Sequence, residues 1–242
     1  MVYLIFSDVH SNLEALTTFA RLAKAIPHDR MVCLGDIVGY AADPNPCVDW
    51  VRQNADLILA GNHDHAVAGT IDPARLVPHA HQACLWTREV LSAENMVFLR
   101  GLPVKKIQDD ILWVHSTPRE PAKWHYLTEL EDAEDQFNAF TNDLCFYGHT
   151  HWPMIFECDL EGNIRVGQEG RWQLQTGYRY IVNVGSIGQP RDGNPAAAFA
   201  IYDSKAQYIE VQRFTYDFTV TQRKILEHRL PPSLAERLSL GR

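Results

Sequence analysis

Apolar residues in this chain fall in short runs, and each run stops at a polar turn. Val2 to Phe6 (VYLIF) leads straight into Ser7-Asp8-Val9-His10-Ser11-Asn12. Met31 to Leu34 (MVCL) ends at Gly35-Asp36, and Leu57 to Ala60 (LILA) ends at Gly61-Asn62-His63-Asp64. Ile111 to Val114 delivers His115, and Leu144 to Tyr147 (LCFY) delivers Gly148-His149-Thr150-His151. Short, continuously apolar runs bounded by such turns read as buried strands. After the first, Leu13, Leu16, Ala20 and Ala23 recur at helical spacing behind Ser11 and Glu14, which have the spacing of a capping box. The loop Asp43-Pro44-Asn45-Pro46 opens a second helix, expected over roughly 46–54. Three strand–turn–helix units in succession predict a parallel core with right-handed crossovers. Ligands of such sheets sit beyond the carboxyl ends of the strands, which is where these motifs fall.

Residues 73–99 read as helical, with an irregularity around Pro78. Val104 to Ile107 and Ile111 to Val114 flank Gln108-Asp109-Asp110 as a hairpin, and 128–140 reads as an acidic helix. From Met154 the pattern turns antiparallel. Met154 to Cys158 and Ile164 to Val166 flank Glu161-Gly162-Asn163, and strands are expected near 172–176, 180–184, 197–203 and 207–213. A final helix near 218–228 precedes Pro231-Pro232. The predicted class is α/β with mixed (α+β) sheets: a two-sheet sandwich covered by helices on both faces, in a single domain spanning 1–242.

Composition narrows the function classes. Hydrophobic residues make up 46% and charged residues 21%, as in an ordinary globular chain. A net charge of -8 lacks the basic footprint of a nucleic-acid binder, so no duplex nucleic-acid binding is expected. The cysteines Cys33, Cys47, Cys84, Cys145 and Cys158 form no C-x-x-C pair, and Met1 leads directly into a strand with no leader-like segment. Reduced thiols and a cytoplasmic location are the expectation. No apolar run approaches a membrane span, so no membrane partner is expected.

The strand-end residues Asp8, His10, Asp36, Asn62, His115, His149 and His151 supply carboxylate, amide and imidazole donors. Such a set without cysteine suits Mn, Fe, Zn, Co or Ni. Seven donors exceed one tetrahedral site and suit two divalent ions sharing a carboxylate, about 3.5–4 Å apart in two-metal hydrolases. Gly35, Gly61 and Gly148 each precede a donor, where the missing Cβ permits close approach or positive φ.

D-x-H, G-D, G-N-H-D, a lone His and G-H-x-H, in that order from Asp8 to His151, resemble the calcineurin-like metallophosphoesterase superfamily. The resemblance implies a four-layer αββα sandwich. It also implies that Asp8, His10 and His151 hold one metal, that Asn62, His115 and His149 hold the other, and that Asp36 bridges them. Manganese is the expected ion, with Fe, Zn, Ni or Co as alternatives. His63 is implied to serve the leaving oxygen. Asp64 is read as orienting His63 or capping the turn, and Asn12 as facing the substrate phosphate or simply starting a helix. The segment Asn183 to Asp192 resembles the family's Gly-Ser…Pro-Arg loop, in which Arg191 would pair with phosphate oxygens. Ser116 stands where many relatives carry Gly after the lone histidine. No arginine follows Gly35-Asp36-Ile37-Val38-Gly39-Tyr40, unlike the protein phosphatase and symmetrical dinucleoside tetraphosphatase branches. The small bacterial and archaeal phosphodiesterase-like branch is therefore favoured.

The expected reaction is hydrolysis of phosphodiester or phosphomonoester bonds in nucleotides or small phosphate esters. Two cations would neutralise the ester and acidify a shared water for in-line attack. A dinucleoside polyphosphate hydrolase and a non-catalytic interaction scaffold are the competing readings, and a homo-oligomer is left open. Tyr40, Arg119, Trp124 and Tyr178 are candidates for the cleft wall, with ordinary packing expected for each. His65, His79 and His81 are read as outlying or surface residues.

Overall fold

The computed structural model describes residues 1–167 and 169–242. The opening apolar run is strand β1 (Val2–Phe6), followed by helix α1 (Leu13–Ala23), β2 (Arg30–Cys33), α2 (Pro44–Asn54), β3 (Leu57–Ile58) and α3 (Asn62–Ala68). Next come α4 (Pro78–Val90), α5 (Ala93–Arg100), β4 (Lys105–Gln108), β5 (Ile111–Val114), α6 (Leu130–Phe137) and β6 (Leu144–Tyr147). The remainder is β7 (Met154–Cys158), β8 (Ile164–Gly167), β9 (Gly170–Gln173), β10 (Arg179–Asn183), β11 (Ala197–Asp203), β12 (Tyr208–Phe214), α7 (Phe218–Glu227) and α8 (Pro232–Leu240).

The strands form two six-stranded sheets, ordered β3-β2-β1-β11-β12-β9 and β4-β5-β6-β10-β7-β8. Each has a parallel half: β1, β2 and β3 in the first, β5, β6 and β10 in the second. The period of two decides which face each residue serves. Tyr3, Ile5, Val32 and Leu34 of the first sheet meet Ile111, Trp113, Phe146 and Val182 of the second in the core between them. Leu4, Phe6, Met31 and Cys33 face outward and are covered by Leu16 and Phe19 of α1 and Val48 and Val51 of α2. Leu112, Cys145 and Tyr147 face outward on the second sheet, under Ala133 and Phe137 of α6. The result is the expected four-layer αββα sandwich. Each large side chain buried this way contributes about 1.5–3 kcal/mol.

Several local expectations are revised. Asn12, not Ser11, caps α1: its Oδ1 accepts from the Ala15 N–H at 3.1 Å. Glu14 turns instead to Lys224 of α7, at 2.6 Å. Strand β3 is only two residues long, because the chain turns into α3 at Asn62. The 73–99 stretch divides into a 3-10 turn (Pro73–Arg75), α4 and α5. Strand β9 starts at Gly170, before the expected 172. Helix α8 was not expected. Pro232 occupies its first turn, where a missing N–H costs nothing, so Pro231-Pro232 opens a helix rather than closing the fold. Leu234, Ala235 and Leu238 of α8 pack with Ala80 and Ala83 of α4 around Tyr40.

Candidate metal centre

The seven strand-end donors converge. Asp8 and His10 follow β1, Asp36 follows β2, Asn62 starts α3, His115 follows β5, and His149 and His151 follow β6. Asp8, His10, Asp36 and His151 form one buried cluster whose donor atoms lie within 4.8 Å of one another. Asp36, His115 and His149 form a second on the same criterion, so Asp36 belongs to both. Its Oδ2 is 3.7 Å from His10 Nε2 and 3.4 Å from His115 Nε2. The two sheets are tied here directly: the His149 N–H donates to Asp8 Oδ2 at 3.0 Å.

The backbone is bent to deliver these groups. Asp8, His10, Asp36, His149 and His151 all have left-handed φ, between 50° and 67°. Asp and His tolerate that region better than most residues, yet each instance costs on the order of 1–3 kcal/mol. Strain concentrated on five donors marks a site held against local preference. Gly61 serves close approach, since a Cβ there would lie 2.0 Å from Asp36 Oδ1.

Hydrogen bonds to carbonyls set the imidazole tautomers, because a carbonyl only accepts. Nδ1 of His10 donates to Val38 O at 3.2 Å, that of His115 to Leu34 O at 2.9 Å, and that of His151 to Gln189 O at 2.6 Å. Each Nε2 is thereby turned into the site. His149 is reversed: its Nε2 donates to Trp124 O at 3.0 Å and leaves Nδ1 free. Nε2 of His10 and Nε2 of His151 face each other at 3.0 Å, two lone pairs in need of a cation. Asp8 Oδ1, Asn62 Oδ1 and His115 Nε2 are buried without any hydrogen-bond partner. Buried acceptors left this way are costly unless something charged meets them. The donor set fits two divalent ions.

Electrostatics agree for three of the four imidazoles. Burial pushes His10 and His151 below the ordinary imidazole value and takes His149 down to about 3, so these rings are neutral and ready to bind. Burial also opposes charge on His115, but the Asp36 carboxylate outweighs it and raises His115 to about 9. Burial opposes charge on Asp8 and Asp36 too, but the His115 charge beside them helps to hold both carboxylates below their ordinary value.

Residues 1–207 match the family model for the calcineurin-like phosphoesterase superfamily domain. The chain belongs to that superfamily. It is 40% identical over 243 residues to an uncharacterized protein of Methanocaldococcus jannaschii, MJ0912, covering 98% of this chain and 97% of that one. A metallophosphoesterase from Sphaerobacter thermophilus is 40% identical, with a TM-score of 0.88 over 100% of this chain and 99% of that structure. Hypothetical protein PH1004 from Pyrococcus horikoshii shares the fold at 19% identity, with a TM-score of 0.82 over 100% of this chain and 98% of the other. The two His/Asp clusters and the superfamily fold together support catalytic phosphoesterase activity.

In this superfamily member, the remaining sequence-derived residues separate into two groups. His63 lines a cavity of about 270 Å³ with Asn62, His149, Tyr40, Trp124 and Tyr126. Its N–H donates to Asp36 Oδ1 at 2.8 Å, and its Nδ1 has no partner. Arg191 hangs beside the first cluster, its N–H donating to His151 O at 3.3 Å. Ser186 shapes that loop by donating to Asp8 O at 2.9 Å.

Asn12 and Asp64 are placed differently. Asn12 donates to Gly188 O and the Tyr216 hydroxyl and accepts from Ala15 N–H and the Thr221 hydroxyl, which uses its whole amide. It is a buried cap with no donor left for a substrate. Asp64 accepts from the N–H groups of Ile37, Val38 and Gly61 at 2.9, 3.1 and 3.0 Å, so it staples two turns together and its carboxylate is used on backbone. Arg119 pairs with Asp135, and Tyr178 lines a different cavity, so neither joins the cleft. Sequence reasoning missed Gly39: at φ 97°, its Cβ position lies 2.6 Å from His63 Nδ1. Arg237 of the unexpected helix α8 packs near Tyr40, its guanidinium carbon 5.9 Å from the ring centroid.

Proposed function

We propose that this chain hydrolyses phosphodiester bonds of nucleotides or other small phosphate esters, with Asp8, His10 and His151 holding one ion, Asn62, His115 and His149 a second, and Asp36 shared. Manganese is the first ion to test. The observation that carries this reading is the set of buried, partnerless donor atoms around Asp36. When bound, two divalent cations neutralise an anionic ester and bring the pKa of a water between them towards neutrality.

The chain's own residues supply the rest. The 270 Å³ cavity beside Asn62 and His149 receives the ester, and its Trp124 and Tyr126 offer flat apolar walls for an aromatic leaving group. His63 is fixed by its N–H bond to Asp36 and by the Tyr40 ring, whose centroid is 4.4 Å away. Burial takes His63 down to about 4, and a phosphate anion beside the ring moves it back up. It is then able to give a proton to the departing oxygen. Arg191 donates to non-bridging phosphate oxygens.

Purified protein supplied in turn with Mn, Ni, Co, Fe and Zn is assayed on bis-p-nitrophenyl phosphate and p-nitrophenyl phosphate. Turnover of the diester with at least one metal is expected. No turnover on either ester with any metal would remove the proposal.

A further inference from the structure

The four imidazoles of the two clusters are not held alike. His10, His115 and His151 donate to the carbonyls of Val38, Leu34 and Gln189, none of which is more than 1% exposed. His149 rests instead on a surface segment. Its Nε2 donates to the carbonyl of half-buried Trp124. The ring of Tyr126, a residue 57% exposed, lies flat against it, with centroids 4.4 Å apart and an interplanar angle of 13°. The Trp124 indole meanwhile stands edge-on to His115, with centroids 6.0 Å apart. One short loop between β5 and α6 therefore touches both imidazoles of the second cluster.

That loop is tied down and locally strained. The hydroxyl of Ser116, buried next to His115, donates to Pro121 O at 2.7 Å. Thr117 Oγ1 donates to Arg119 O at 2.9 Å, and Arg119 pairs with Asp135 of α6 at 2.6 Å. Beyond these ties lies a 3-10 turn (Pro121–Lys123) with a left-handed residue at each end: Glu120 at φ 51° and Trp124 at φ 60°. Bulky side chains are poorly suited to that region, at roughly 1–3 kcal/mol per residue. The strained residue Trp124 is the one whose carbonyl takes the His149 Nε2 proton and leaves Nδ1 free. Partners of this kind fix the tautomer and tilt of a ligating imidazole, and losing one usually costs about 10–100-fold in metal affinity.

We infer that residues 116–126 form a clamp for the second ion, in which Ser116, Trp124 and Tyr126 are positioning residues that act through His149. This rests on the two-ion phosphoesterase reading and deepens it. The first ion's imidazoles are oriented by buried carbonyls, whereas the second ion's affinity depends on a surface loop. Loop residues that touch no metal then decide whether the chain holds one ion or two.

Calorimetric titration of Mn²⁺ into the metal-stripped protein reads binding without turnover. Tyr126→Ala and Ser116→Ala are each expected to weaken one of the two ions by about 10–100-fold and to leave the other within about twofold. Tyr126→Phe keeps the ring and both affinities. In a His149→Ala background the clamp has no ring to hold, so adding Tyr126→Ala changes the remaining affinity no further. Arg223→Ala, an exposed change on α7 at the ion-pair partner of Glu227, keeps both affinities. Thermal melts establish that each variant is folded, and the exposed Tyr126 carries the test if Ser116→Ala is not. Equal weakening of both ions, weakening of neither, or a further loss from Tyr126→Ala in the His149→Ala background overturns the clamp. Fewer than two ions bound by the unaltered protein overturns it as well. A selective loss in Tyr126→Ala, with no ester turned over by the unaltered protein, sinks the phosphoesterase reading and leaves the clamp standing. Turnover with both affinities unmoved in Tyr126→Ala does the reverse.

Discussion

The backbone N–H of His63 donates to Oδ1 of Asp36 at 2.8 Å. The residue proposed to meet the leaving group is thus hung from the carboxylate shared by both donor clusters. The other oxygen of Asp36 stands between His10 and His115. One side chain therefore sets the spacing of the two clusters and the position of His63 relative to them.

Asp36→Asn separates these duties. The amide oxygen still accepts from His63, but the negative charge between the clusters is gone. Bound metal is expected to fall from two ions per chain to one or fewer, with hydrolysis down by more than about 100-fold, beyond the range usual for outer partners of a metal site. Elemental analysis after gel filtration reads the stoichiometry, and two retained ions per chain would refute the shared-carboxylate assignment.

His63→Ala leaves every metal donor in place. Hydrolysis is expected to drop by about 10²–10⁴-fold, the usual worth of a positioned proton donor, with metal content unchanged. Full activity in this variant would end the leaving-group role of His63.

Gly39→Ala probes the same ring from behind. Its φ is 97°, and an added Cβ would sit 2.6 Å from His63 Nδ1. The variant is expected to lose activity as His63 is displaced, to keep its metals, and to lose about 1–3 kcal/mol of stability from the strained backbone. Gly162→Ala has a similar φ of 87° with nothing within 4 Å, so it is strained without an effect on rate. Comparing kcat and denaturant midpoints for the two variants separates positioning from strain.

Acid sensitivity of the metal-stripped protein follows from the buried imidazoles. The folded-state values of His63, about 4, and His149, about 3, lie below the ordinary imidazole value of about 6.5. Groups depressed in this way add stability that is complete above pH ~6.5 and is lost as pH falls towards the folded values. His115, raised to about 9, works the other way, adding stability below pH ~6.5 that is lost as pH rises through 9. The depressed group, which also includes His10 and His151, outnumbers it. The Tm in EDTA is expected to be lower at pH 5.0 than at pH 7.5, and a flat or rising profile would speak against burial of these rings.

The metal donors were readable because chemistry and position coincide in them. Each polar motif ends an apolar run, and parallel strands bring their carboxyl ends together. Asn12 and Asp64 were harder, because a cap and a substrate contact call for the same short polar side chains. Only the filled hydrogen-bond complement of Asn12 and the three backbone donors on Asp64 tell them apart. Helix α8 escaped notice because a Pro-Pro pair serves equally as a stop or as a first turn. With it went the contact of Arg237 with Tyr40, which has no local signature, since that ring lies almost two hundred residues earlier in the chain. The left-handed backbone at five donors leaves no mark in composition or periodicity either.

The proposed centre is a pair of ions sharing Asp36. Titrating Mn²⁺ into the stripped protein, with electron paramagnetic resonance and diester hydrolysis followed together, tests it most directly. A spin-coupled dinuclear signal and a rate that both saturate at two ions per chain are expected. A six-line mononuclear signal that persists at saturation, with activity complete at one ion, would contradict it.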